Sequence, residues 1–205
     1  MTERRPRKDA VRNRQALLAA ADALFSRHGR PEDLTMADIA AAAGVGKATL
    51  FRAFGDRMGL VRALYEARLT PTLAAVESGP PPLGPATAPL QRIPAVLDAL
   101  LCFKLANRRL ALALEEAAGI SPYSVDNYGR WHGLLRDLLR QIPGVAGADF
   151  TAHALLAATR ADLVEHLAGE EQVPPGQLRT DLARLTARVL GTAAPEPLSD
   201  SFAAE

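Results

Sequence analysis

Apolar residues recur along this chain with a helical period and never with the alternation of a half-buried strand. Between Asp9 and His28 they fall at Val11, Leu17/Leu18, Ala21 and Leu24/Phe25, and Gly29 and Pro31 then supply a stop. Thr35 followed by Asp38 resembles a capping box, with Asp in place of the preferred Glu, and predicts a short helix from Met36 to about Ala43. Gly44 ends it, and a second short helix runs from about Gly46 to Arg52 or Ala53. Asp56 can cap a further helix that carries Leu60, Val61, Leu64 and Leu69 inward. The proline-rich stretch 78–89 predicts a stiff, extended connector. Beyond it the pattern predicts helices from Pro89 or Pro94 to about Ala106 and from about Asn107 to Ala118. A long one opens at Ser121-Pro122 and ends before Pro143-Gly144, followed by helices over about 149–168 and 175–190. The expected class is all-α, with a frayed tail over 193–205.

Composition supports that reading. Apolar residues make up 48% of the 205, enough for a sizeable core, and aromatics only 5%, which favours helix over sheet. The single Cys102 allows no internal disulfide. No run of about twenty apolar residues and no signal-peptide pattern occurs, so a cytoplasmic protein without a membrane span is expected. The net charge of +1 conceals an asymmetry: residues 1–60 hold eleven Lys or Arg against seven Asp or Glu. Arg4, Arg5, Arg7, Lys8, Arg12 and Arg14 form the densest patch, which fits either a solvated basic arm or a polyanion partner.

The informative stretch is 35–57, which reads as helix, tight turn, helix. Ile39 and Ala40 give the first helix a small apolar face, Gly44 permits a positive φ at the turn, and Val45, Leu50 and Phe54 close the angle. The outward face of the second helix then offers Gly46, Lys47, Thr49 and Arg52, a set able to touch phosphates and base edges in a major groove. Gly44-Val45-Gly46-Lys47-Ala48-Thr49 imitates a phosphate-binding loop. Ala41 and Ala48 fail that pattern at both ends, and no strand precedes it.

Leu17, Ala20, Ala21, Leu24, Phe25 and Gly29, then Thr35, Asp38-Ile39-Ala40, Ala43-Gly44-Val45, Thr49-Leu50-Phe51, Phe54 and Leu60, resemble the TetR family of regulators over roughly residues 12–62. The resemblance implies a helix-turn-helix DNA-binding domain with its basic arm (1–55), a helical ligand-binding and dimerisation domain (56–192), and a ligand-responsive repressor binding a palindromic operator as a homodimer. It implies that Thr35 contacts phosphate through hydroxyl and amide, and that Lys47, Thr49 and Arg52 face the groove. Phe51 stands where the family usually has Tyr, Gly46 where Ser or a similar cap is common, and Arg57 where Lys is usual. The first two changes each remove a side-chain contact, and Arg57 keeps its charge.

Tyr123, Tyr128, Trp131, His132 and Leu135 concentrate aromatic and amphipathic side chains on one helix of an aromatic-poor chain. They read either as ordinary core or as a cavity shared with Leu101, Cys102, Phe103 and Leu105 and with the Leu110–Leu114 helix. The few polar groups favour an apolar or aromatic effector. His153, Asp162, Glu165 and His166 look metal-like. Only Asp162 and His166 share a face, which reads as an ion pair or interface contact, so no metal and no cofactor is expected. Leu178, Leu182, Leu185 and Val189 form a seam, and with Leu155 they are the expected dimer interface; packing within the chain is the alternative. No Gly-x-Ser-x-Gly elbow or His-Glu-x-x-His motif occurs, so no enzyme is expected. The reading from another class is a helical small-molecule binding protein or enzyme without operator binding.

Overall fold

The structure, a computed structural model, describes residues 4–28, 35–117 and 126–193, with no strand among them. The helices are α1 (Arg4–His28), α2 (Met36–Ala42), α3 (Lys47–Phe54), α4 (Arg57–Ser78), α5 (Pro89–Ala106) and α6 (Arg108–Ala117). They continue with α7 (Asp126–Leu139), α8 (Ala148–Ala157), α9 (Ala161–Glu165), a π-helical segment (His166–Glu170) and α10 (Pro175–Leu190). Gly29, Pro31, Ser121, Pro122 and the tail beyond 193 lie outside the described residues. No helix among the described residues is long and apolar enough to cross a membrane.

The chain divides into two compact units: residues up to Leu69 with Arg109–Ala117, and Thr70–Arg108 with the chain beyond Ala117. In the first, α1 contributes Leu17, Ala21 and Phe25 to a core shared with Ile39 and Ala40 of α2, Leu50 of α3, Leu60, Val61 and Leu64 of α4, and Leu110 of α6. Leu114 packs against the same cluster. Leu110 and Leu114 thus belong to the first unit's core. Arg68 of α4 donates from Nε to Asp22 of α1 at 2.6 Å.

In the second unit α5 is the central helix, packed by α7, α9 and α10. Its buried residues Ile93, Val96, Leu97, Leu100, Leu101 and Phe103 share one face, and every other residue from Pro94 to Leu105 is half-buried, the mark of an element enclosed on several sides. Pro89 occupies the first turn, where its missing N–H has no intrahelical partner to lose. Arg179 of α10 grips Asp98 of α5 through Nε and one Nη at 2.8 and 2.9 Å, a bidentate pair that sets the register of the two helices. That carboxylate, ahead of the opposing desolvation, pushes the Arg179 pKa up.

Two sequence expectations change. The stretch expected as one helix over 149–168 is broken. The Thr159 hydroxyl donates back to the Leu156 carbonyl at 2.9 Å, diverting an acceptor of the helical ladder. Arg160 then turns extended and caps α9, and its guanidinium forks onto Asp162. The proline-rich 78–89 stretch is a folded loop, with Gly84 N–H donating to Pro80 O and Thr87 N–H to Gly84 O. The buried Arg92 pins it, donating from Nε to the Leu83 carbonyl at 2.9 Å and from Nη2 to the Val76 carbonyl at 2.7 Å. Gly84 is required there, because a Cβ would lie 1.7 Å from the Gly79 carbonyl oxygen.

Arg92→Met keeps the aliphatic volume but leaves those two carbonyls without their charged donor. Hydrogen bonds to charged groups contribute about 1.5–3 kcal/mol, so urea denaturation should show a loss of that order. An unchanged midpoint would show that the clamp does not hold the loop.

Candidate functional site

The α2–α3 pair is built as its sequence dictates. Thr35 is extended (φ −87°, ψ 154°) and completes the capping box: the Asp38 N–H donates to Thr35 Oγ1, while the Thr35 N–H donates to Asp38 Oδ2. The Thr35 hydroxyl also donates to Asp38 Oδ2, at 2.6 Å. Both donors that the resemblance assigns to a phosphate are thus engaged by a carboxylate in this structure. At the other end Gly44 takes φ +66°, with its N–H on the Ala41 carbonyl and the Val45 N–H on the Ala40 carbonyl. That pair of bonds is a Schellman turn, and it aims the chain into α3.

Helix α3 has eight residues and one deeply buried anchor, Leu50. Gly46 caps it with no side-chain hydrogen bond. Lys47, Ala48, Phe51 and Arg52 are exposed and share one face; Thr49, half-buried, sits at its margin. Phe51 is 47% exposed, so a large apolar ring stands between two cations on an open surface. Arg14 of α1 places its guanidinium 4.6 Å from the Phe54 ring centroid, tying one member of the basic patch to the end of α3. Gly55 turns the chain at φ +77°, and Asp56 caps α4 by accepting the Gly59 N–H at 2.7 Å. Arg57, half-buried, begins α4 directly after this turn.

This arrangement has known counterparts. Residues 17–64 match the family described as bacterial regulatory proteins, tetR family. Residues 17–64 are a tetR-family domain. Over 82 residues the chain is 39% identical to the HTH-type transcriptional repressor LfrR of Mycolicibacterium smegmatis, a match that covers 40% of this chain and spans 42% of that protein's length. The fold beyond the tetR-family domain is shared with solved structures. A TetR-like transcriptional regulator from Rhodococcus sp. RHA1 aligns over 87% of this chain and 96% of its own, with a TM-score of 0.60 and 23% identity. NalD, the secondary repressor of the MexAB-OprM multidrug efflux pump in Pseudomonas aeruginosa, aligns over 89% and 97%, at 0.53 and 16%.

Outside the tetR-family domain the expected effector residues separate into groups. Leu101, Phe103, Trp131 and Leu135 are buried, and Leu105 is half-buried. Cys102 lies by the Asp98–Arg179 pair of the α5–α10 contact, its Sγ 4.0 Å from Asp98 Oδ1. Burial, and then the Asp98 charge, push its thiol pKa up, which suits a packed thiol and not a nucleophile. Tyr128 and His132 stack with His153 of α8. Tyr123 lies outside the described residues. The Asp162–His166 pairing does not form: Asp162 is held by Arg160, which keeps its pKa low, and His166 lies 2.7 Å from Glu170, which raises its own. The association of His153 with His132 and Tyr128 was missed by sequence reasoning. Its signal was two i,i+4 pairs, Tyr128/His132 and Asp149/His153, on helices that turn out to be neighbours.

Gly59 carries a testable constraint. A Cβ there would lie 2.0 Å from the Phe54 carbonyl oxygen, closer than any side chain tolerates. Gly59→Ala must push apart the end of α3 and the start of α4, and overpacking of this kind costs about 1–3 kcal/mol. The thermal midpoint should fall accordingly. A variant as stable as the parent would mean that this junction yields freely.

Proposed function

We propose that the protein is a ligand-responsive transcriptional repressor that binds a palindromic double-stranded operator as a homodimer in the bacterial cytoplasm. The observation that carries this is the α3 face. Lys47, Phe51 and Arg52 are presented outward by a helix held from behind by Leu50, within a tetR-family domain. Lys47 and Arg52 face the groove, with Thr49 at its edge, and Arg57 faces the backbone. Gly46 and Phe51 approach the duplex without a hydroxyl to offer. Thr35 reaches a phosphate only by sharing donors with Asp38. Two such helices on a two-fold axis fit half-sites about 34 Å apart.

The effector site lies in the second unit, lined by Leu101, Phe103, Leu105, Trp131 and Leu135. With so few charged groups it suits an apolar or aromatic molecule. Release of DNA follows if that molecule binds better to a conformation whose α3 spacing no longer fits. LfrR and NalD are both named as repressors, which supports the sign of regulation. For the dimer, Leu155, Leu178 and Leu182 are already buried within the chain, whereas Leu185 and Val189 stand 42% and 36% exposed. That exposure supports a partner helix on the C-terminal half of α10.

With a selected operator, Arg52→Ala should weaken binding by about 1–3 kcal/mol and relax preference at one base pair. Arg57→Ala should weaken all sequences alike and lower the salt slope by about one. Unaltered affinity and salt dependence in both variants would refute the assigned face. In the same titration, a compound that releases the operator should change the emission of Trp131, the only tryptophan; release without that change places the effector elsewhere.

Leu185→Asp tests assembly without disturbing the interior. A carboxylate buried unpaired between protomers costs several kcal/mol, so sedimentation should show a folded monomer that has lost operator binding. A dimer that survives the change has its interface off this face of α10.

A further inference from the structure

We propose that Tyr128 and His132 of α7 with Asp149 and His153 of α8 form a binding site for one divalent transition-metal ion. This does not depend on the regulatory reading above. Tyr128 and His132 are four residues apart on α7, and Asp149 and His153 four apart on α8, so each helix turns one i,i+4 pair toward the other. The geometry is already gathered. His132, Asp149 and His153 offer one ligand atom each, all within 4.8 Å of one another. His132 Nε2 is 3.5 Å from Asp149 Oδ1 and 3.2 Å from the Asp149 carbonyl oxygen. Two donors in a tetrahedral site with bonds of about 2.0–2.2 Å stand about 3.3–3.5 Å apart. The His132–Asp149 separation of 3.5 Å matches that value, and a pair as far apart as 4.8 Å must close by about 1.3–1.5 Å, shared between two side chains.

One further contact fits a ligating imidazole, and a second sets what must move. The Tyr128 hydroxyl lies 2.6 Å from His153 Nδ1, and a hydrogen bond at one ring nitrogen fixes the tautomer and orientation of a ligating histidine. The His132 and His153 rings stack face to face, with centroids 3.8 Å apart and planes 21° from parallel, so one imidazole must turn about its Cβ–Cγ bond for both in-plane lone pairs to meet on one ion. Half-buried histidines next to an exposed carboxylate also give the ion a path in from solvent. Two imidazoles and one carboxylate choose the ion: this donor set suits zinc and its first-row neighbours, whereas magnesium and calcium require mostly oxygen. Three protein ligands leave a fourth position for water.

The test uses the full chain, untagged and freed of metal with a chelator. Zn2+ is titrated calorimetrically, and Co2+ is followed by its visible absorption, which reports coordination directly. One equivalent should bind, with four-coordinate Co2+ bands and no competition from millimolar Mg2+. His132→Ala and His153→Ala should each weaken binding at least ~100-fold and abolish the bands. Tyr128→Phe should weaken it ~10-fold or more, as loss of a positioning partner does. Asp149→Asn, at a residue 65% exposed, keeps the test interpretable if a histidine variant fails to fold, and should also weaken binding. The double variant H28A/H166A removes the other two histidines and should bind as the parent does. The proposal is overturned if no Zn2+ binds below millimolar concentration. Full binding by a folded His132, His153 or Asp149 variant, its loss in H28A/H166A, or displacement by Mg2+ would each overturn it as well.

Discussion

An eight-residue helix cannot hold itself together in water, because nucleation fixes several residues before the hydrogen bonds that repay it accumulate. Helix α3 is of that length, and the arrangement around it exists to keep it formed. Leu50 ties it to the core of α1, α2 and α4; the Schellman turn at Gly44 sets its start, and the Gly55–Asp56 turn, closed by the tight approach of Gly59 to Phe54, sets its end. Every fastening is on the inner side or at the termini. The outer face is thereby left to Lys47, Phe51 and Arg52, side chains outside that core cluster. Separation of holding residues from outward-facing ones lets such a short element present a face without loosening its hold.

The second unit solves a different problem. Its central helix α5 is enclosed by neighbours, so polar groups inside it need partners, and they are found in a few long-range pairs. Arg179 with Asp98 and Arg92 with two backbone carbonyls are the main ones. The Tyr128–His132–His153 stack differs in lying toward solvent, where an ordered set of nitrogen donors beside a carboxylate has no structural necessity of its own.

What could be read from the sequence follows from the range of each interaction. The capping box at Thr35 and Asp38, the turn at Gly44 and the cap at Asp56 are all set by residues within four positions of one another, and each is found where expected. The start of α10 at Pro175 was legible for the same reason. The break at Thr159 and Arg160 was not, because neither residue is a helix breaker and the diverted Leu156 carbonyl leaves no compositional trace. His153 was grouped with Asp162, Glu165 and His166 along the chain, and its contacts with His132 and Tyr128 emerge only once α8 is known to lie against α7. Cys102 was grouped with Phe103 by adjacency, yet neighbours along a helix point about 100° apart, and Cys102 meets Asp98, one turn back, which is in turn held by Arg179 from far along the chain.

The loop at 78–89 shows how composition at one place constrains composition at another. Each of its prolines removes a backbone donor while keeping its carbonyl, so the segment holds more acceptors than it can satisfy internally. Arg92 makes up part of that deficit from the neighbouring helix. The loop and the arginine are therefore one heritable unit. A sequence that lost the arginine would need a shorter or less proline-rich connection, and one that kept the prolines would need the arginine.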